Sequence, residues 1–448
     1  MNKIESITIT SYIDALSPSG NGRRIVLFGT DLIFGNIENV FVYPTLDVNR
    51  FRDALHQTLS YWPIVTGHLL IDENDQYIIE CSDNSIPLTY TENDQLICWP
   101  DLPVIVDDMT ILQPFIDSVQ HKPEREALVR FKITHLLQSG EYVLGTSFYH
   151  MIGDANTNIR FLNDLSQIYQ HLEPTLPRPI FERQSLKEEN LDFSLPNIVD
   201  LSENAGKQQT LIDCITKEYV ETEPINLSFS SNEITQIHNL IENNAEITPH
   251  DALCAYIIFT LNKHFFINTT DEPIQHARML VNYRGVCNRL APIGYVGNCL
   301  LTTIPIGFSN PLSLSDIAKA IRQSIQSIRN EDLIKKYITS ANVLCRQLVK
   351  DNRITFIFGS KEFIFNSNFK YDWTDQVNFG MINQCRFHTV GLYKFYFRIF
   401  RLNPTKNQDG IWIKDNGGAE IAFRIPKGQE KEKFLAAYKK DIEENFLN

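Results

Sequence analysis

His150 is the residue of this chain whose surroundings best suit chemistry. It ends an apolar stretch in SFYHMIGDAN, with Gly153 three residues and Asp154 four residues further on. A side chain at a strand end, in front of a glycine-containing turn, is held firmly yet stays accessible. Imidazole has an ordinary pKa of about 6.5 and is mostly neutral near pH 7. It can therefore accept the proton of a hydroxyl or amine that attacks a carbonyl, as a general base.

The HxxxD spacing by itself has little specificity. The chain has 11 histidines, and about one chance match is expected in a sequence of this composition. One such match is His68 with Asp72, in GHLLIDEND, where an acidic, turn-like run follows. We expect His68 to lie at the surface or at the edge of the core. The motif of His150 taken alone also fits an ordinary core histidine, so its wider context has to decide.

The elements around His150 follow from periodicity. VFVYP (Val40 to Pro44) predicts a strand, and Asp47 is positioned to cap the helix after it. Alternating apolar residues predict a strand around residues 129–133, and EYVLGTSFYH predicts the strand that His150 closes. A helix is expected to start near Asp154, since apolar residues then recur at helical spacing.

The second half of the chain restarts with clear helix signals. Ser230 and Glu233 form a capping box, and Thr248 with Pro249 opens another helix. Further elements are a helix at 314–328, strands near 354–369, 393–402 and 411–425, and a last helix from about Glu430.

These patterns predict an α/β fold of the α+β kind, with mixed sheets in two halves. We place an N-terminal domain with the HxxxD motif at residues 1–172 and a C-terminal domain at 217–448. The intervening residues 173–216 are rich in proline and charge and show little periodicity, so they are expected to form a crossover linker.

Composition excludes several classes of protein. The net charge of -13 argues against nucleic-acid binding, which needs clustered lysine and arginine. The start MNKIESITIT does not resemble a secretory signal, and no apolar run is long enough to cross a membrane. Eight cysteines without a CxxC pair indicate a reducing compartment and no metal site. A cytoplasmic protein is therefore expected.

Five segments, in order and over nearly the whole chain, resemble the BAHD acyltransferase family. They are DALHQTLSYWPIVTGHL (Asp53 to Leu69), SFYHMIGDAN (Ser147 to Asn156), VNYRGVCNRLAPIGYVGN (Val281 to Asn298), SNFKYDWTDQVNFG (Ser367 to Gly380) and NGGAEIAFRIP (Asn416 to Pro426). Each is weak alone, but five in order form a strong signal.

The resemblance implies a monomer of two chloramphenicol-acetyltransferase-like domains, with a channel at their interface and His150 midway along it. Acyl-CoA would enter from one side as a co-substrate, and a small-molecule acceptor from the other. His150 would act as general base in a ternary complex, with no covalent acyl-enzyme and no permanently bound cofactor.

Asp154 has two alternative roles. It can cap the following helix, or it can turn toward a cation and orient the turn that holds His150. The resemblance points to Arg284 as that cation. Both roles stay open at the level of the sequence.

Two departures from the family pattern bear on the site. The family's DFGWG motif reads Asn378-Phe379-Gly380-Met381-Ile382 here, so its first Asp, its Trp and its second Gly are missing. Phe369 stands where the family often has tryptophan, which removes an indole donor. If this segment stabilises an oxyanion, Ser367 or Asn368 must supply the donor. The alternative is that both are ordinary strand or turn residues.

Two other functions compete with an acyl-CoA-dependent transferase. One is a condensation-type enzyme that uses a carrier-bound thioester, although Tyr149 stands where such domains usually have a second histidine. The other is a binding protein on the same fold that has lost its catalytic activity. Retention of His150, Gly153 and Asp154 together argues against that loss.

Overall fold

The structure is a computed structural model that describes most of the 448 residues. The described residues are 7–20, 22–120, 126–184, 186, 191–242, 244–266, 272–355, 363–381 and 383–446.

The strands of this part of the chain are short, and most belong to two large sheets. In chain order they are β1 Thr8–Ile13, β2 Arg23–Val26, β3 Asn36–Tyr43, β4 His68–Ile71, β5 Tyr77–Cys81, β6 Ile86–Asn93, β7 Ile105–Val106, β8 Val129–Leu136, β9 Tyr142–Tyr149, β10 Ala205–Gly206, β11 Thr222–Phe229, β12 Arg278–Asn282, β13 Leu300–Thr302, β14 Ile354–Thr355, β15 Ile364–Ser367, β16 Arg386–Val390, β17 Tyr396–Arg401, β18 Thr405–Lys406, β19 Trp412–Ile413 and β20 Ala419–Pro426.

The helices alternate with these strands and cover the sheets. In chain order they are α1 Val48–Tyr61, α2 Met109–Leu112, α3 Ala155–Tyr169, α4 Pro196–Glu203, α5 Gln208–Glu221, α6 Ser231–Asn239, α7 Pro249–His264, α8 Leu314–Ser327, α9 Glu331–Lys350, α10 Trp373–Gln376 and α11 Gln429–Phe446.

Both large sheets mix parallel and antiparallel pairs, which confirms the predicted α/β class with mixed sheets. The N-terminal sheet has the order β1-β6-β8-β9-β3-β16-β7, and the C-terminal sheet has the order β11-β20-β17-β15-β12-β13. A small three-stranded sheet, β2-β5-β4, lies beside the first.

Strand β3 shows why the N-terminal sheet is buried on both faces. Its side chains alternate between two apolar clusters, with Phe41 and Tyr43 in one and Val40 and Val42 in the other. Helices α1 and α3 contribute the apolar faces of the first cluster. Strand β9, paired with β3 along its whole length, is thereby fixed in register, and so is its end.

Local signals for helix starts are confirmed. The carboxylate of Asp47 accepts the amide hydrogens of Asn49 and Arg50 at the start of α1. Ser230 and Thr248 each form a capping box, at the starts of α6 and α7. Such caps satisfy amide groups that the first helical turn leaves without partners.

Chain order and sheet membership differ at one place. Strand β16 pairs with β3 and β7, so a segment from the C-terminal half completes the N-terminal sheet. The domain bounds 1–172, 173–216 and 217–448 remain a prediction. Strand β16 belongs to the C-terminal half by its position in the chain and to the N-terminal sheet by its pairing.

The residues predicted as a linker contain more structure than the sequence indicated. Helix α4 and most of α5 fall within 173–216, while residues 185 and 187–190 lie outside the described residues. Helix α5 has no buried residue, which explains its weak apolar periodicity. The search for a helix long and apolar enough to cross a membrane finds none in the described ranges.

Candidate active site

His150 lies one residue beyond the end of β9, so the strand ends slightly earlier than predicted. Its backbone is held from both halves of the chain. The amide N–H of His150 donates to the carbonyl of Gly35, 3.0 Å away, in the segment before β3. Its carbonyl accepts from Asn298 Nδ2 at 2.8 Å, from the segment before β13. The backbone of His150 therefore sits where the two halves meet.

The buried surroundings of His150 favour the neutral form of its imidazole. Burial lowers the pKa of His150, because it disfavours the imidazolium, and the nearby carboxylate of Asp154 opposes this shift only in part. A neutral imidazole is the form that can accept a proton.

Asp154 fulfils both of the alternatives that the sequence left open. Its carboxylate accepts the amide hydrogen of Thr157, at 3.1 Å, and thereby caps α3. The same carboxylate forms a two-pronged ion pair with Arg284, with Nη1 to Oδ2 at 2.8 Å and Nη2 to Oδ1 at 3.1 Å. The two side chains are only 1% and 4% exposed, so this ion pair is buried.

Further hydrogen bonds use the remaining donor and acceptor groups of the Asp154–Arg284 ion pair. The N–H of Cys299 donates to Asp154 Oδ2 at 3.0 Å, and Arg284 Nε donates to the carbonyl of Tyr295 at 2.8 Å. Arg284 also donates to the carbonyl of Gly297. The segment between β12 and β13 thus folds around the ion pair and delivers Asn298 to His150.

Gly153 is required by close packing. A Cβ atom at this position would lie 2.4 Å from Thr157 Oγ1 and 2.6 Å from its Cβ. The hydroxyl of Thr157 is itself fixed, since it donates to the carbonyl of Gly297 and accepts from Arg284. Any larger residue at 153 would push apart the turn that joins His150 to Asp154.

A second buried ion pair lies beside the first, and sequence reasoning missed it. Arg183 Nη2 contacts Asp31 Oδ2 at 3.1 Å, with side-chain exposures of 4% and 1%. The other carboxylate oxygen of Asp31 accepts the N–H of Asn298 at 2.8 Å. Asp31 and Asp154 therefore hold the segment around Asn298 from two sides. Nothing local in the sequence distinguishes Asp31 or Arg183 from other charged residues.

Ser367 and Asn368 stand at the end of β15. The hydroxyl of Ser367 accepts the N–H of Phe369 at 3.3 Å. Asn368 is buried, and no residue in the described ranges forms a hydrogen bond with its carboxamide. Within the described residues, both the Ser367 hydroxyl hydrogen and the Asn368 amide hydrogens therefore remain available as donors.

Tyr371 is a further polar group of this region that sequence reasoning missed. Its hydroxyl accepts from Asn156 Nδ2 at 3.0 Å and from Asn282 Nδ2 at 3.4 Å. Burial raises the pKa of Tyr371, so the phenol keeps its proton and can donate it in a hydrogen bond.

The altered NFG segment packs into the N-terminal core. Phe379 contacts the rings of Tyr43, Phe51 and Tyr169 at centroid distances of 5.0 to 5.4 Å. Asn378 Oδ1 accepts the N–H groups of residues 380 and 381, which closes a tight turn. Gly380, with φ of +101°, takes a conformation that favours glycine. Ile382, the last position of the motif, lies outside the described residues.

Comparisons with known proteins identify the family of this chain. A model of the Transferase family matches residues 33–389. Spermidine hydroxycinnamoyltransferase 1 of Oryza sativa subsp. japonica is 26% identical over 285 residues, which are 58% of this chain and 59% of that protein. The chain thus spans less than two thirds of this relative.

Solved structures give the fold. TRI101 of F. graminearum, complexed with coenzyme A and T-2 mycotoxin, has a TM-score of 0.65 at 12% identity, covering 92% of this chain and 97% of that one. Vinorine synthase has a TM-score of 0.62 at 14% identity, covering 96% of each chain. The predicted chloramphenicol-acetyltransferase-like fold is therefore confirmed. Because the family model covers most of its length, this chain belongs to the Transferase family, that of the BAHD acyltransferases.

Proposed function

We propose that this protein transfers an acyl group from an acyl-CoA thioester to a hydroxyl or amine of a small molecule, with His150 as general base. The observation that carries the proposal is the position of His150 at the junction of the two halves, where Gly35 and Asn298 bind its backbone N–H and carbonyl. The buried Asp154–Arg284 pair fixes the turn that follows it.

The reaction would proceed in three steps. His150 accepts the proton of the acceptor O–H or N–H as that atom attacks the thioester carbonyl. Asn368 or Ser367 donates a hydrogen bond to the oxyanion that forms. The intermediate then collapses with cleavage of the C–S bond, and the imidazolium of His150 returns the proton to the thiolate of CoA. No covalent acyl-enzyme and no permanently bound cofactor are needed, and we propose a cytoplasmic monomer.

A thiol-release screen tests this function. The full chain would be incubated with a panel of acyl-CoAs against pooled alcohols and amines, and free CoA would be measured together with the acylated product. Turnover with free acyl-CoA supports the proposal and argues against a carrier-dependent condensation enzyme. A panel without turnover on any pair would favour the carrier-dependent enzyme or the binding protein.

The pH profile follows from the environment of His150. Because burial lowers the pKa of His150, the imidazole stays neutral to a lower pH than an ordinary histidine. We expect the acid limb of kcat/KM to have its midpoint below about 6.5. The measurement is kcat/KM over a range of pH, with thermal unfolding followed in parallel to exclude acid denaturation. A midpoint at or above that value would contradict the assignment.

Substitution of the oxyanion candidates should act on the chemical step. Asn368→Ala is expected to lower kcat by about 10²–10³ with little change in KM, since the interaction would form only in the transition state. Ser367→Ala tests the second candidate, the hydroxyl of Ser367, which already accepts a hydrogen bond from a backbone amide. Unchanged kcat in both variants would make these residues ordinary polar residues of a strand end.

A further inference from the structure

Tyr371 connects the segment of the oxyanion candidates to the elements that carry the buried ion pair. Its hydroxyl accepts hydrogen bonds from Asn156 Nδ2 at 3.0 Å and from Asn282 Nδ2 at 3.4 Å. Asn156 lies in the first turn of α3, two residues after Asp154. Asn282 ends β12, two residues before Arg284. The phenol oxygen is therefore bound by a close sequence neighbour of each member of the ion pair.

The side chain of Asn282 has a fixed orientation. Its Oδ1 accepts from the backbone N–H of Arg284 at 2.9 Å and from Arg284 Nη1 at 3.3 Å. Because the amide oxygen faces Arg284, the NH₂ group is free to donate to the phenol of Tyr371. Arg284 is itself held by Asp154. The hydrogen bond to Tyr371 thus belongs to the same network as the ion pair that fixes the turn after the proposed general base.

The backbone links Tyr371 to the oxyanion candidates. The N–H of Tyr371 donates to the carbonyl of Asn368 at 2.8 Å, which closes a turn over residues 368–371. The N–H of Asn368 donates to the carbonyl of Ile399 at 2.7 Å, and the carbonyl of Phe369 accepts from Arg401 Nε at 2.9 Å. With its backbone held in this way, the turn moves as a unit, and the phenol of Tyr371 anchors that unit to α3 and β12.

We propose that Tyr371 is a positioning residue for acyl transfer. Its hydroxyl fixes the distance between the oxyanion donor at the end of β15 and the imidazole of His150. A displacement of about 1 Å can cost about 10²-fold in rate, so reacting groups need such support from residues around them. This role rests on the proposed acyl transfer, but the hydrogen bonds of Tyr371 can be tested without turnover.

Thermal unfolding of the full chain is the first arm of the experiment. Tyr371→Phe and Asn156→Ala would be compared singly and together. Because each change removes one partner of the same hydrogen bond, the double variant should lose less Tm than the sum of the two single losses. Strictly additive losses would show that the two side chains are not coupled, and they would overturn the inference.

Kinetics is the second arm. Tyr371→Phe should lower kcat by about tenfold to 10²-fold with little change in either KM, since the misplaced donor matters in the transition state. The acid limb of kcat/KM should keep its midpoint, because Tyr371 is not among the groups that shift the pKa of His150. Single-turnover thiol release, with the enzyme in excess over acyl-CoA, keeps slow variants measurable.

A second background separates positioning from direct contact with the substrate. Tyr371→Phe would be added to Asn368→Ala or to Ser367→Ala, whichever of the two has lowered kcat. With the donor already removed, the loss of the phenol should have little further effect. An undiminished effect would mean that the phenol acts on the substrate itself, which would overturn the positioning role. Unchanged kcat in both single variants would do the same, since no donor would then need positioning.

Tyr256→Phe is the matched control. Tyr256, on α7, is buried, and its Oη donates to Asp441 Oδ2 of α11 at 2.8 Å. Its removal should lower Tm and leave kcat unchanged. Equal losses of kcat in Tyr256→Phe and Tyr371→Phe would attribute both to stability and overturn the inference.

The wild-type chain separates this inference from the proposed function. Acyl transfer that is the same in the wild type and in Tyr371→Phe would leave the proposed function standing and refute the positioning role. A wild-type chain without turnover on the whole panel of acyl-CoAs and acceptors would refute the proposed function. The positioning role would fall with it, even if Tyr371 and Asn156 were coupled in thermal unfolding.

Discussion

His150→Ala is expected to lower kcat for acyl transfer by about 10²-fold or more, because it removes the group that accepts the acceptor's proton. Fold and CoA binding should stay near those of the wild type. The neighbouring segments bind the backbone of His150, at its N–H and its carbonyl, and alanine keeps both groups. The measurement is thiol release under saturating substrates, together with thermal unfolding and the Kd for acyl-CoA.

His68→Ala is the matched control for this experiment. His68 has the same HxxxD spacing, but it begins β4 at the edge of the small sheet, where Nε2 contacts the side chain of Asn84 at 2.6 Å. Its removal should leave kcat unchanged. Retention of more than about a tenth of kcat by His150→Ala would exclude His150 as the base, given the size of the expected effect. An inactive His68→Ala beside an active His150→Ala would transfer the role to the other motif.

Asp154→Ala and Arg284→Ala should each destabilise the protein by about 3–5 kcal/mol, because each leaves its buried partner without a counter-charge. Activity should fall with stability, since the pair fixes the turn after His150 and the segment that carries Asn298. Chemical denaturation of each variant gives the free energy of unfolding. Lys217→Ala removes one partner of an exposed pair on α5 and is expected to cost no more than about 1 kcal/mol.

The double variant separates the ion pair from the helix cap. Asp154→Ala with Arg284→Ala should lose less stability than the sum of the two single changes, since both charges are then gone. Asp154→Ser should recover only the capping contribution, about 1 kcal/mol, because a hydroxyl can accept the Thr157 amide but cannot pair with Arg284. Strictly additive losses, or an Asp154→Ser variant as stable as the wild type, would exclude a functional ion pair.

Features that depend on neighbouring residues could be predicted before the fold was known. The caps at Asp47, Ser230 and Thr248 lie where the local signals predicted them, because a capping side chain bonds to amides two or three residues away. Strand β9 and helix α3 were likewise predicted around His150, since their apolar residues repeat with the period of each element. The order of family-like segments indicated the fold, which the comparisons confirm.

Contacts between residues that are distant in the chain became visible only in the folded protein. Asp31 and Arg183 are 152 positions apart, and Gly35 and Asn298 reach His150 from opposite halves of the chain. Strand β16 (Arg386–Val390) joins a sheet whose other strands all end at or before Tyr149, and α9 lines a cavity together with β2 and the turn after it. Such contacts depend on how whole layers of secondary structure pack, and the periodicity of a segment does not indicate which distant residues it will contact. For the same reason Asp154 could be read as a cap or as an ion-pair partner, and only the folded chain combines the two.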